Sequence, residues 1–298
     1  MQGVVYLINK YQHVSNKYRM TIGQFMARTL IAGPWIGEFG WELFAWHAYI
    51  RALSEHFDKT IVISKKNSEA LYEDFASEFI AYNPPAGLSD SYFMYNVDIN
   101  KCFKEVVNRR GLELNNDTAV LLPRRVGNPP FTHFSEKINF GKYKINPSYK
   151  QFGEEKESNF DYVFHIRNRD LRKEDNWNKQ NWNALKNLLK SDKIACIGTT
   201  KESGWIDGTA DMRGLSLREL FDVLRNSKCV FGPSSGPMHL ASLCGAKHVV
   251  WGDQQKSLNR YEENWNPFET PMLFLGKHKY HPTPQYVYES FNKWEKQI

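Results

Sequence analysis

Cysteine is scarce in this 298-residue chain: there are four, and no two form a C-x-x-C pair. Cys102, Cys196, Cys229 and Cys244 stand far apart, three of them in apolar runs. That reads as buried reduced thiols rather than disulfides or a zinc site, and it predicts a reducing, cytoplasmic setting. No run of about 18 apolar residues occurs, so a membrane-spanning helix is not expected. The opening MQGVVYLINKYQHVSNKYRM lacks the long apolar core and small-residue cleavage site of a secretory leader. Residues 1–25 read as a strand-like VVYLIN followed by a polar connector, with Met20 and Met26 as alternative starts. There is no Asp-x-Asp pair, so a metal held in that way beside a phosphorylated substrate is not indicated. There is no His/Cys cluster with metal-ligand spacing. No protein-bound metal and no cofactor is therefore expected.

What is present is an ordinary globular composition, with 41% hydrophobic, 14% aromatic and 24% charged residues. That is enough apolar material for full-sized cores, and the length suggests about two domains. The net charge is +6, with 18 Lys/Arg against 14 Asp/Glu in residues 1–150 and 21 against 19 in 151–298. A mild basic excess suits anionic ligands, nucleotides and nucleic acid included. Apolar strands alternate with helical periods in two runs. The first holds strands at about 28–33, 59–64 and 118–123, with helices over about 41–57 and 67–80. The second holds strands at 161–166, 193–198, 228–232 and 247–252, with helices at 181–190, 216–227, 236–245 and 284–297. Between them, residues 124–160 are rich in Pro, Gly, Asn and charge and lack sustained periodicity. Strands alternating with helices imply parallel sheets joined by right-handed crossovers. The expected architecture is two doubly wound α/β domains, 1–150 and 151–298, facing each other across a cleft. The last helix, 284–297, is a candidate to pack back on the first domain. Ligands are then expected at the carboxyl ends of the strands.

Four segments carry candidate chemistry. In VFGPSSGPMHLASLCG a buried strand runs into the small-residue turn Pro233–Gly236 and directly into a helix. Backbone N–H groups at such a start, with the Ser234 and Ser235 hydroxyls and Gly236, suit phosphate. His239, in the first helical turn, reads either as a further donor or as a packed helix histidine. HIRNRD places Arg167 and Arg169 just past a strand end, where guanidinium forks suit diphosphate oxygens or, alternatively, surface ion pairs. In GPWIGEFGWEL the glycines Gly37 and Gly40 flank Glu38, a carboxylate fit for general-base work. Glu42 competes with it for that role, and the alternative, that the carboxylate complements the helix dipole, weighs more for Glu42 than for Glu38. NRYEENWNPF offers Asn259, Arg260 and Asn264 toward a sugar or phosphate, or a packed connector to the last helix. Lys101, Lys104, Arg109, Arg110, Arg124 and Arg125 would be phosphate contacts if DNA were a partner, and otherwise a solvated basic face.

GPSSGPMHLASLCGAKHVVWGD resembles the serine/threonine-glycine-x-x-histidine-alanine loop of the heptosyltransferase-type family 9 glycosyltransferases. IGEFGWEL resembles their first glycine-rich loop, and HIRNRD a strand-end arginine motif of fucosyltransferase-like GT-B proteins. The resemblance implies a GT-B fold of two Rossmann-like domains spanning about 28–275. It also implies an inverting transferase, without a required metal, that uses a nucleotide-diphosphate sugar as donor. Ser234, Ser235, Gly236 and His239 would then hold the diphosphate, Arg167 and Arg169 would neutralise it, and Glu38 would take the acceptor's proton. Family 9 usually has Asp where this chain has Glu38. The acceptor reads as a glycan or a hydroxymethylated base in phage DNA. The competing functions are a non-catalytic nucleotide-sugar or nucleic-acid-binding module and a sugar-nucleotide epimerase.

Overall fold

A computed structural model describes residues 28–83, 97–123, 138–140 and 143–298. The VVYLIN segment and Arg124 and Arg125 lie outside these residues. The chain divides into two compact units, Met1–Ser148 and Tyr149–Ile298.

The first unit is built on a parallel sheet of β1 (Thr29–Ala32), β2 (Lys59–Ser64), β3 (Glu78–Ala81) and β4 (Thr118–Leu121), ordered β3-β2-β1-β4. Helix α1 follows β1. It runs through an α turn Phe39–Trp41, a π-helical segment Glu42–His47 and an α segment Ala48–Ser54. A second helix, α2 (Ile99–Arg110), was not anticipated from the sequence, although its signals are plain. Asp98 caps it by accepting from the Asn100 and Lys101 N–H groups, Gly111 ends it in the left-handed region, and Cys102, Phe103 and Val106 form its buried stripe. The core gathers Ile31, Ile61, Ile63, Ile80, Phe103 and Val120 from both elements. An antiparallel hairpin, β5 (Ile138–Phe140) with β6 (Tyr143–Ile145), completes the unit.

One element differs in kind from expectation. The helix read over 67–80 is a 3-10 turn, Lys66–Leu71, followed by a turn and then β3. Its polar positions look inward: Ser68 and Tyr72 donate to Glu42, and Asp74 pairs with Arg51. Those bonds, made across to α1, override the helical period.

In the second unit six strands form one parallel sheet ordered β12-β11-β10-β7-β8-β9. They are β7 (Tyr162–His165), β8 (Ile194–Gly198), β9 (Ala210–Arg213), β10 (Cys229–Pro233), β11 (His248–Trp251) and β12 (Met272–Leu275). The helices are α3 (Lys179–Leu189), α4 (Leu217–Arg225), α5 (Gly236–Leu243), α6 (Gln254–Asn259) and α7 (Pro284–Glu295). Counted from β7, the order is 3-2-1-4-5-6, that of a doubly wound nucleotide-binding sheet, and its topological switch point lies between β7 and β10. Strands buried on both faces read as continuous apolar runs, which is why KIACIG, KCVFG and KHVVWG are legible as strands. Val287 and Phe291 of α7 belong to this unit's core, with Trp177, Trp182, Trp251 and Phe231, so the last helix packs on the second unit. No helix among the described residues is long and apolar enough to cross a membrane.

Candidate anion site and glycine-rich loop

The turn after β10 lies at the switch point of the second sheet. Ser235 is the N-cap of α5, with Gly236 as its first residue and Pro237 in its first turn. Ser234, Ser235 and Gly236 are half-buried. The Ser234 N–H donates to the Trp251 carbonyl at 2.8 Å, tying the turn to β11. Ser235 N–H donates to the Tyr261 hydroxyl at 3.3 Å, and Tyr261 in turn donates to Ser234 Oγ at 3.4 Å. Tyr261 is fully buried, and that burial pushes its phenol up and keeps it protonated. Ser235 Oγ and His165 Nδ1, from the end of β7, are hydrogen-bonded at 2.9 Å. His165 and Tyr261 are the residues that sequence reasoning passed over here. Their partners lie 70 and 26 positions away, and no local pattern records such distances.

His239 is inside the unit rather than at its surface. Its ring stacks on Tyr261 with centroids 4.2 Å apart and meets Trp265 edge-on at 4.7 Å. Burial first, then the charge of Arg260, holds its pKa well below the ordinary histidine value, so the imidazole is neutral. This geometry is that of a packed helix histidine. Arg260 lies with its guanidinium carbon 5.2 Å from the centre of the Trp265 ring, in a π-helical segment Arg260–Asn264 that continues α6. Asn259 and Asn264 are exposed.

The two arginines of HIRNRD behave differently. Arg167 is buried, and its guanidinium donates to the Leu171 and Arg172 carbonyls at 2.9 Å and to Asn176 Oδ1. Asn176 also bonds the Arg169 backbone on both sides. Arg167 therefore organises the loop that follows β7, and its charge lies behind that loop. Arg169 is half-buried, with Nε 3.8 Å from Glu202. Tyr280, on the segment after β12, has its ring about one van der Waals contact from where a Cβ on Gly252 would stand, at 3.5 Å. Ser234 Cβ would lie 3.0 Å from the same point. Gly252 thus lets Tyr280 and the serine turn approach each other.

In the first unit the glycine-rich loop follows β1, at the switch point between β1 and β4. Gly33 leaves the sheet at φ +116°, where a Cβ would collide with the Ile63 carbonyl. A Cβ on Gly37 would stand 2.8 Å from the Trp35 indole, which itself stacks on Trp46. The Lys65 ammonium donates to the Gly37 carbonyl. Gly37 and Gly40 are buried, while Glu38 between them is half-buried and caps the start of α1 with its carbonyl accepting the Glu42 N–H at 3.0 Å.

Glu42 has no exposure. Ser64 and Tyr72 donate to its Oε1 and Ser68 to its Oε2. Burial raises its pKa, against the opposing pull of Lys65 and the three hydroxyls. The enclosure continues through His47, whose Nδ1–H donates to the Leu43 carbonyl and whose Nε2 accepts from Arg51, to the Arg51–Asp74 pair. Of the two candidate carboxylates, Glu38 is thus the one with access to solvent, and Glu42 belongs to a buried polar network. Among the described residues no group of three or more His, Cys, Asp or Glu stands close enough to hold a metal ion.

No protein-family model matches the chain, and no curated protein matches it. Solved structures do. A family 9 glycosyl transferase of Veillonella parvula superposes with TM-score 0.58 at 10% identity, over 92% of this chain and 99% of that one. The ADP-heptose LPS heptosyltransferase II of E. coli gives 0.57 at 12% identity, over 91% and 99%. The E. coli heptosyltransferase WaaC, solved with ADP, gives 0.52 at 10% identity, over 90% and 99%. The chain therefore has the α/β fold of the GT-B glycosyltransferases, with two parallel sheets flanked by helices.

Proposed function

We propose that the protein transfers a sugar from a nucleotide-diphosphate donor to an acceptor hydroxyl. The observation that carries the reading is the Ser234–Ser235–Gly236 turn at the switch point of a 3-2-1-4-5-6 sheet, in a fold shared with an enzyme solved with ADP. There the Gly236 N–H, the serine hydroxyls and the positive end of α5 meet an anion. As the bond between the anomeric carbon and phosphate oxygen breaks, negative charge grows on the departing diphosphate. Arg169 and the dipoles of the turn stabilise it, and this chemistry needs no protein-bound metal. Arg167 supports the same charge from behind by holding the loop after β7. Arg260 and His239 act through the packing around Tyr261, which fixes the serines. On the first unit Glu38 takes the acceptor's proton, and direct attack inverts the anomeric centre.

The acceptor is a glycan or a hydroxymethylated base in DNA. Supporting the second, Lys101, Lys104, Arg109 and Arg110 lie exposed on α2, interleaved with Glu105 and Asn108. Salt-dependent binding to duplex DNA, lost when these four are changed to Gln, would select that acceptor.

Thermal-shift titration with nucleoside diphosphates and their sugars tests the donor site. At 100 times its dissociation constant a donor adds about 2.7 kcal/mol of stability, a clear shift. Absence of any shift across the panel would refute the reading. Conversion of the donor without any acceptor would point to an epimerase, and binding without turnover to a non-catalytic module.

A further inference from the structure

We infer that His165 is a positioning residue of the donor site: its Nδ1–H holds the Ser235 hydroxyl so that the serine proton is presented to the donor's phosphate. The inference rests on the glycosyltransferase reading and deepens it by naming what orients the diphosphate donor group.

The start of α5 has few donors to offer an anion. The Ser235 N–H is engaged by the Tyr261 hydroxyl, and Pro237 has none. The Ser235 hydroxyl is therefore the main contribution that this residue can make. A hydroxyl carries one proton. If Ser235 donated it to His165 Nδ1, it would have only lone pairs to offer, and a phosphate oxygen accepts and does not donate. A bound phosphate thus selects the arrangement in which Nδ1–H donates to Ser235 Oγ across the 2.9 Å contact.

The imidazole is built to hold that position. His165 ends β7, and the two strands on either side give way to it with glycine. A Cβ on Gly232 of β10 would meet Met238 first and stand 3.2 Å from His165 Cβ, and one on Gly198 of β8 would collide with Ser203 and stand 3.2 Å from the His165 Cδ2. The ring thus lies in a slot between two strands. Burial, then the charges of Arg167 and Arg169, lower its pKa to about 3, so it acts as a neutral donor and adds no charge of its own.

The amide nitrogen of Asn can occupy the place of Nδ1, whereas that of Gln reaches only the place of Nε2. Isothermal titration with ADP, UDP, GDP and TDP on the full chain identifies the best-bound nucleoside diphosphate, which is then carried through the variants. H165Q and S235A should each weaken it about 10- to 100-fold, as expected for losing a hydrogen bond to a charged group. H165N should stay within about threefold of wild type. H165Q combined with S235A should bind no more weakly than S235A alone, because His165 then has no hydroxyl to orient. Binding of the corresponding nucleoside should be equal in all variants. Additive losses, or H165N as impaired as H165Q, would overturn the inference while leaving the donor site standing. If H165Q fails to fold, H165N against S235A decides: loss in both overturns it. If none of the four diphosphates binds the wild-type protein, the donor-site reading falls and this inference with it.

Discussion

Replacing Glu42 by Ala tests the enclosure around α1 most directly. The substitution removes the acceptor of three buried hydroxyls, those of Ser64, Ser68 and Tyr72. A buried polar group left without its partner costs about 1–3 kcal/mol. Water entering the vacated space would rehydrate part of the set, which places the expectation near the low end of the sum, at about 3–5 kcal/mol. For a unit of this size that corresponds to a fall in Tm of about 6–20 °C. Glu42→Gln keeps the volume and should cost less. The pair also separates charge from shape. The Glu42 pKa is raised in the folded state, so as pH falls from neutral toward 4.5 the folded carboxyl takes up its proton before the unfolded one. Acidification therefore stabilises the fold through this group, and the glutamine variant lacks that gain. Differential calorimetry of wild type, Glu42→Ala and Glu42→Gln between pH 7 and 5 measures both effects. The wild-type advantage over Glu42→Gln should widen on acidification. An alanine variant melting with wild type, or an advantage that narrows at low pH, would refute the reasoning.

Glu38→Gln should lower kcat by about 10²–10⁴-fold with little change in donor affinity, as general-base loss does; unchanged turnover would place the base elsewhere. Arg167→Ala should destabilise the loop after β7, freeing the Leu171 and Arg172 carbonyls, and should lower Tm more than Arg169→Ala does, whereas Arg169→Ala should cost more in kcat/KM. Steady-state kinetics paired with melting curves distinguish the two. EDTA should leave turnover intact, given the lack of an Asp-x-Asp pair; complete loss restored by Mn²⁺ would count against the proposed chemistry. His47 and His248, held near pKa 4, and His165, near 3, stay neutral in the fold but protonate at about 6.5 when unfolded. Their contribution is complete above about pH 6.5 and is lost as pH falls toward 4. The urea midpoint should drop between pH 7 and 5, and a flat midpoint would contradict the burial of these rings.

Much of the fold is legible in the sequence, because a strand buried on both faces leaves an unbroken apolar run. KTIVIS marks β2 from first residue to last. The edge strands β9 and β12 escaped notice. ADMR has no apolar run, and MLFL lies just past NRYEENWNPF, a stretch that reads as a polar loop or connector to the last helix. The 67–80 segment misled because Ser68, Tyr72 and Asp74 answer to α1 rather than to their own helix period. The serine turn could be found from strand, small residues and helix in succession. His165 could not, since its meaning depends on a serine in the turn that follows a neighbouring strand. Arg167 was visible as a charge near a strand end, but not as the brace of its own loop, because only the folded chain shows which carbonyls it reaches.

The sheet order of the second unit carries a consequence for how the chain assembles during synthesis. β7, β8 and β9 follow one another outward on one side, so they can pair as soon as they emerge. The opposite edge of β7 waits for β10, whose Cys229 pairs with Tyr162, an edge that unpaired would invite foreign strands. The Ser235–His165 bond spans that late seam and forms only once the second half has docked. A ligand held there would fasten the two halves of the sheet to each other. Amide exchange at β7 and β10 should therefore slow together when donor is added, well ahead of the outer strands β9 and β12.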